Sequence, residues 1–153
     1  MARAKTDIMP QTVLVSACLL GLHTRYDGTH CRRDEAAEKT RGCFVIPVCP
    51  EQLGGLPTPR SPATIESGDG RDVLRGASRV VNAGGEDVTD NYLRGARAVL
   101  EIARTCGARR AILKEKSPAC GVACIKRDGA DAPGMGVTAA LLEQNGIELE
   151  GIA

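Results

Sequence analysis

Hydrophobic positions along this chain fall into short unbroken runs, separated by breaks rich in glycine and proline. Residues 12–17, TVLVSA, are apolar and β-branched, which predicts a buried strand, and Cys18 follows directly. Residues 19–32 carry Gly21, Asp27 and Gly28 and read as a loop. Residues 33–40 are polar around Ala36 and Ala37, which predicts a short exposed helix. Residues 43–48, CFVIPV, form a second strand-like run even though Pro47 lacks a ladder donor, and Cys49 follows it. Residues 50–76 begin PEQLGGLPTPRSP and are punctuated throughout, so a long loop is expected there. Residues 79–82 suit a short strand turned by Ala83-Gly84-Gly85. The clearest helix covers residues 89–106, where Leu93, Ala96, Leu100 and Ala103 recur at helical spacing. Thr89 or Asp90 can cap its start, and Gly107 can end it. Residues 110–113 read as a third strand, and 114–126 as a loop carrying Ser117, Pro118, Cys120, Gly121 and Cys124. A second apolar helix is expected over 136–144, ended by Asn145-Gly146, and a last strand over 147–149.

Strands and helices alternate, which predicts an α/β fold: a single-domain, Rossmann-like layered sheet of mostly parallel strands with flanking helices. Residues 12–153 form that domain, and residues 1–11 read as a disordered tail. The chain has 153 residues, enough for one real core. A net charge of +1 argues against a surface built for nucleic acid or anionic membrane. Aromatic residues are only 2 %, which argues against a base-stacking platform. No apolar run approaches the roughly 20 residues of a membrane span, and the first residues lack the apolar core of a secretion signal. A cytoplasmic protein, monomer or homodimer, is expected, with no membrane partner and no stable nucleic-acid complex.

The seven cysteines change this picture. The odd number and the absence of a secretion signal make a disulfide framework a poor explanation, so metal binding or thiol chemistry is favoured. Ligands of open parallel sheets gather at the carboxyl ends of the strands. Cys18 ends the first strand, Cys49 ends the second and Cys120 lies in the loop after the third, so all three are expected at one sheet edge. Thiolates are soft ligands suited to iron–sulfur clusters and zinc. A closed structural site normally takes four protein ligands, whereas three leave one position open for a substrate. Cys43 and Cys106 are expected to be core residues. Cys31 beside His30, and Cys124 four residues after Cys120, are weaker candidates for a ligand or a resolving thiol.

The strings VSACLLG (15–21), RYDG (25–28), PVCPEQLGGLPTPR (47–60), DVTDNYLRGA (87–96), ILKEKSPACG (112–121) and GVTAALLEQNGIE (136–148) resemble the DUF523 family, whose member of assigned activity is thiouracil desulfidase. The resemblance implies a [4Fe–4S] cluster with one iron not held by the protein, bound through Cys18, Cys49 and Cys120 at the carboxyl edge of the strands. It places a catalytic glutamate on Glu51 and an active-site serine on Ser117. It implies non-redox desulfuration of a small thiolated nucleobase such as 2-thiouracil, releasing the oxo-base and hydrogen sulfide. The chain departs from the family pattern at Ala119, where serine is commoner, at Thr24, where cysteine is common, and in a shorter loop over 122–135. A capping hydroxyl before Pro118 is the structural alternative for Ser117. Arg25, Tyr26 and Asp27 are candidate substrate contacts or simply a turn, and Lys114 and Lys116 could offset cluster charge. The rival functions are a zinc-binding module without catalysis, closed by His30 or Cys124, and a thiol-redox enzyme using Cys120 and Cys124.

Overall fold

The computed structural model describes residues 9–153. The chain runs β1 (Thr12–Ser16), a 3-10 turn (Ala17–Leu20), α1 (Asp34–Lys39), β2 (Phe44–Val48), α2 (Pro50–Leu53), β3 (Ala63–Ile65) and α3 (Gly70–Leu74). It continues β4 (Val80–Asn82), α4 (Thr89–Cys106), β5 (Arg110–Lys114), β6 (Cys124–Arg127), β7 (Ala130–Pro133), α5 (Val137–Gln144) and β8 (Glu148–Ile152). The α/β expectation holds. A four-stranded sheet, ordered β2-β1-β5-β8, is parallel throughout, and two antiparallel pairs, β3-β4 and β6-β7, stand apart from it.

Burial on both faces explains why β1 is uniformly apolar rather than alternating. Leu14, Ala111 and Leu113 point to the face covered by α4 and α5, among Val99, Ala103, Ala139 and Leu142. Val13, Val15, Ile112 and Ile152 point to the other, against Leu19, Cys31 and Ala36. Among the described residues, no helix is long and apolar enough to cross a membrane.

The expected loop over 50–76 is broken by α2, β3 and α3. α3 forms because Asp69 and Asp72 make a reciprocal capping box at its start. The loop over 114–126 ends in the β6-β7 hairpin, and the last strand runs to Ile152. Neither Thr89 nor Asp90 caps α4. The Thr89 N–H instead donates to the Asp87 carboxylate at 2.9 Å, and the Thr89 hydroxyl takes the Val80 N–H. Gly107 does end α4, in the left-handed conformation. Cys106 is exposed rather than in the core, and Cys43 is half-buried. The expected tail over residues 1–11 falls largely outside the described residues; of its visible part, Met9 and Pro10 are exposed.

Candidate active site at the carboxyl ends of three strands

Strand order decides which residues meet. β2, β1 and β5 are neighbours and parallel, so their carboxyl ends share one edge. Cys49 leaves β2, Cys18 sits in the turn after β1, and Cys120 lies in the loop after β5. All three line one cavity of ≈ 680 Å³, together with Ser16, Glu51, Arg60, Lys114 and Ser117. A second hollow of ≈ 680 Å³, at Asp69, Arg71, Arg75 and Arg127, is more open and has no thiol in its wall.

Local backbone chemistry sets each sulfur. The Cys18 carbonyl accepts the Gly21 N–H at 3.3 Å and the Cys31 N–H at 3.1 Å, which pins the following loop to the turn. Cys49 precedes Pro50, the first residue of α2. Its thiol donates to the Thr24 carbonyl at 3.7 Å. The Ser117 hydroxyl oxygen accepts the N–H groups of Ala119 and Cys120, at 3.2 and 3.0 Å, and so shapes the turn that presents Cys120. Ser117 therefore caps the turn, as the structural alternative expected, and it also lines the cavity. Glu115 holds the far side of the loop by accepting N–H groups from Val122, Ala123 and Cys124. The loop packs so closely that a Cβ on Gly136 would lie 2.4 Å from the Ala119 carbonyl oxygen.

Burial pushes the Cys18 thiol up, helped by Cys120, Cys31 and Cys49 nearby. Burial also raises Cys49, opposed by the Gln52 N–H and the Arg60 guanidinium. Cys120 is pushed up to about 12 by burial, against hydrogen bonds from Ser16 and Ser117. Lys114 moves the other way, because burial disfavours its charge. Three mutually close, poorly solvated thiols resist ionisation by themselves. A bound cation would offset that cost, because the thiolate is the ligating form.

Glu51, in the first turn of α2, faces the same cavity. Arg60 grips its carboxylate through Nε to Oε1 at 3.4 Å and Nη2 to Oε2 at 3.3 Å. The Tyr92 hydroxyl donates to Oε1. Tyr92 is 1 % exposed on α4, and burial holds its hydroxyl well above the ordinary tyrosine range. Sequence reasoning assigned no role to Arg60 or Tyr92. The signal for Tyr92 was a helical face at 92, 96, 99 and 103, beside the one read from the sequence at Leu93, Ala96, Leu100 and Ala103; both residues also stand in family-like strings, Arg60 in 47–60 and Tyr92 in 87–96.

α2 is pressed onto α4 at two glycines. A Cβ on Gly95 would lie 1.9 Å from the Pro50 carbonyl oxygen, and one on Gly54 would lie 2.0 Å from that of Asn91. This close approach places Glu51 within reach of Tyr92 and sets the helix that Cys49 precedes.

The weaker candidates fall elsewhere. Cys31 is buried against Cys18 on the β1 side. The Cys124 thiol faces the carbonyl of Ile125 at 3.7 Å and does not line the cavity. His30 uses Nδ1 to accept the Arg32 N–H. Arg25, Tyr26, Lys114 and Lys116 line the cavity, while Asp27 caps the Thr29 turn as the structural alternative expected. Among the described residues, no three His, Cys, Asp or Glu side chains close around the space of one metal ion. The three soft donors, all lining one roomy cavity, suit a bulkier thiophilic group better than a lone zinc ion.

Comparison with known proteins places the chain among relatives of known family. The family model described as 2-thiouracil desulfurase matches residues 13–151. An uncharacterised protein of Bacillus subtilis (strain 168), YbbK, is 44 % identical over 137 residues, covering 88 % of this chain and 91 % of its own. The solved structure of the [4Fe-4S]-dependent thiouracil desulfidase TudS superposes with a TM-score of 0.77 at 37 % identity, covering 92 % of this chain and 90 % of that one.

Proposed function

The chain belongs to the 2-thiouracil desulfurase family, and from that premise we propose that it hydrolyses a small thiolated nucleobase such as 2-thiouracil, without net redox change. Family and structural neighbour are enzymes of carbon–sulfur bond cleavage. The observation that carries the finer reading is that Cys18, Cys49, Cys120 and Glu51 line one cavity at the ends of three adjacent strands. Held by those three cysteines, a [4Fe–4S] cluster would keep one iron free of protein ligands and would supply a Lewis-acidic, thiophilic position.

The rest is work for the chain's own side chains. The balance is thione plus water giving oxo-base plus hydrogen sulfide: a carbon–oxygen bond forms, a carbon–sulfur bond breaks, and no electrons leave the pair. Glu51 takes the proton from water as its oxygen adds to the thiocarbonyl carbon, then returns it toward the departing sulfur. Ser117, with its oxygen already accepting two N–H groups, directs its single O–H toward the Cys120 sulfur. The hydroxyls of Ser16 and Ser117 lie against the Cys120 sulfur and favour its thiolate. Lys114 and Lys116 add positive charge along the wall.

The test is incubation of anaerobically prepared protein with 2-thiouracil, following uracil and sulfide together. The proposal expects equal amounts of both, and a loss of about 100-fold or more in Glu51→Gln with iron content kept, the size expected for an acid–base group. No sulfide from wild-type protein carrying its full iron would overturn 2-thiouracil as the substrate class. A chain that holds zinc and releases no sulfide would favour the binding-module reading instead.

A further inference from the structure

We infer that Tyr92 and Arg60 act together as positioning residues, leaving Glu51 a single free acceptor site, on Oε2, for the proton it transfers. The inference rests on the reading of Glu51 given above.

A carboxylate offers about four lone-pair sites, two on each oxygen. Oε1 of Glu51 takes the Tyr92 hydroxyl and the Arg60 Nε–H, so both of its sites are filled. Among the described residues, Oε2 takes only Arg60 Nη2, at 3.3 Å. Glu51 keeps 18 % of its side chain exposed, while Arg60 keeps 4 %. The one acceptor site left on this cavity-lining carboxylate is therefore on Oε2.

Neither partner is free to swing away. Arg60 Nη2 also donates to the Thr24 carbonyl at 2.8 Å, and Nη1 donates to Thr58 Oγ1 at 2.9 Å and to the Pro57 carbonyl at 3.3 Å. Tyr92 sits within α4, in the core beside Val88 and Ala96. Its hydroxyl has Glu51 as its hydrogen-bond partner. A phenylalanine would fill this core position equally well, so the hydroxyl serves the carboxylate rather than the packing. Proton transfer is sensitive to orientation, and a carboxylate free to rotate would spend much of its time misaimed.

The experiment uses cluster-loaded protein prepared without oxygen, with Tyr92→Phe, Arg60→Lys, Glu51→Gln and the double variants compared by sulfide release from 2-thiouracil. Iron per chain is measured alongside. Tyr92→Phe is expected to lower kcat about 10- to 100-fold, the range for losing one hydrogen bond to a charged group, with KM and iron content little changed. Arg60→Lys keeps the charge but loses the two-point grip, and is expected to lower kcat by a similar factor. The decisive reading is the cycle: added to Glu51→Gln, either change costs less than about twofold, because the group it orients is gone. Equal losses in both backgrounds would show an independent structural role and overturn the inference. So would a wild-type rate in both single variants while Glu51→Gln is inactive. A fully active Glu51→Gln is a separate outcome: it overturns the reading of Glu51 itself and this inference with it.

Discussion

Gly95→Ala sets two physical effects against each other at a position outside the cavity wall. Helix propensity alone favours alanine by about 1 kcal/mol in a helix interior. Packing opposes it. The new Cβ would stand 1.9 Å from the Pro50 carbonyl oxygen, 2.8 Å from the Pro50 carbonyl carbon and 3.3 Å from the Gly54 nitrogen. Carbon–oxygen contacts normally stop near about 3.3 Å, so α2 must move away from α4 by more than about 1 Å. The obstructing atoms are backbone, which cannot rotate aside. Overpacking of this kind costs about 1–3 kcal/mol, and a backbone clash belongs at the upper end. The expected net is a loss of about 2 kcal/mol, read as a lower urea midpoint in the metal-free, reduced protein. The functional effect should be larger. Cys49 and Glu51 ride on α2, and a displacement of about 1 Å in a reacting group costs on the order of 100-fold in rate. A Gly95→Ala protein with a raised urea midpoint and undiminished sulfide release would refute the reasoning, because propensity would then have won.

Other outcomes follow from the same geometry. Cys106→Ser and Cys124→Ser should both keep iron content and sulfide release, since one thiol is exposed and the other faces away from the cavity; loss of activity in Cys124→Ser with full iron would instead support the thiol-redox alternative. Stability of the metal-free protein should fall as pH rises above the ordinary thiol range. Cys18 and Cys120 have raised folded-state pKa values, so in that window the unfolded chain has released protons that the folded chain keeps. Each such thiol contributes a slope of about −1.4 kcal/mol per pH unit between the unfolded and folded values, and below the unfolded value its stabilisation is fully present. Urea midpoints at about pH 8 and about pH 10 should therefore drop less in Cys120→Ala than in the wild type; equal drops would contradict this assignment.

Much of the fold was legible where local and tertiary signals agree. β1 is an unbroken apolar run because both faces of the sheet are covered there, whereas β2 lies at the sheet edge with Phe44 and Pro47 exposed; α4 carries a helical period over its full length. The convergence of Cys18, Cys49 and Cys120 could be read because each follows a strand and ligand sites gather at carboxyl ends. The segment 50–76 was not legible. α2 and α3 are single short turns, below the length at which propensity or periodicity speaks, and they exist because of packing at Gly54 and the Asp69–Asp72 caps. Cys106 was misplaced because it keeps the helical spacing of Val99 and Ala103 but is the last residue of α4, where residues 104–107 are all exposed. Arg60 and Tyr92 lie 9 and 41 residues from Glu51, and only the folded chain brings them to one carboxylate.

The proposed chemistry depends on Cys18, Cys49 and Cys120 holding a cluster with one open iron. Its most direct test is iron and acid-labile sulfide per chain in anaerobically purified protein, for the wild type and for Cys18→Ser, Cys49→Ser and Cys120→Ser. A brown wild-type protein with about four irons and about four sulfides is expected, as for a cubane, and each variant should fail to keep them. A colourless wild type that resists reconstitution, or a Cys18, Cys49 or Cys120 variant that retains the full complement, would contradict it.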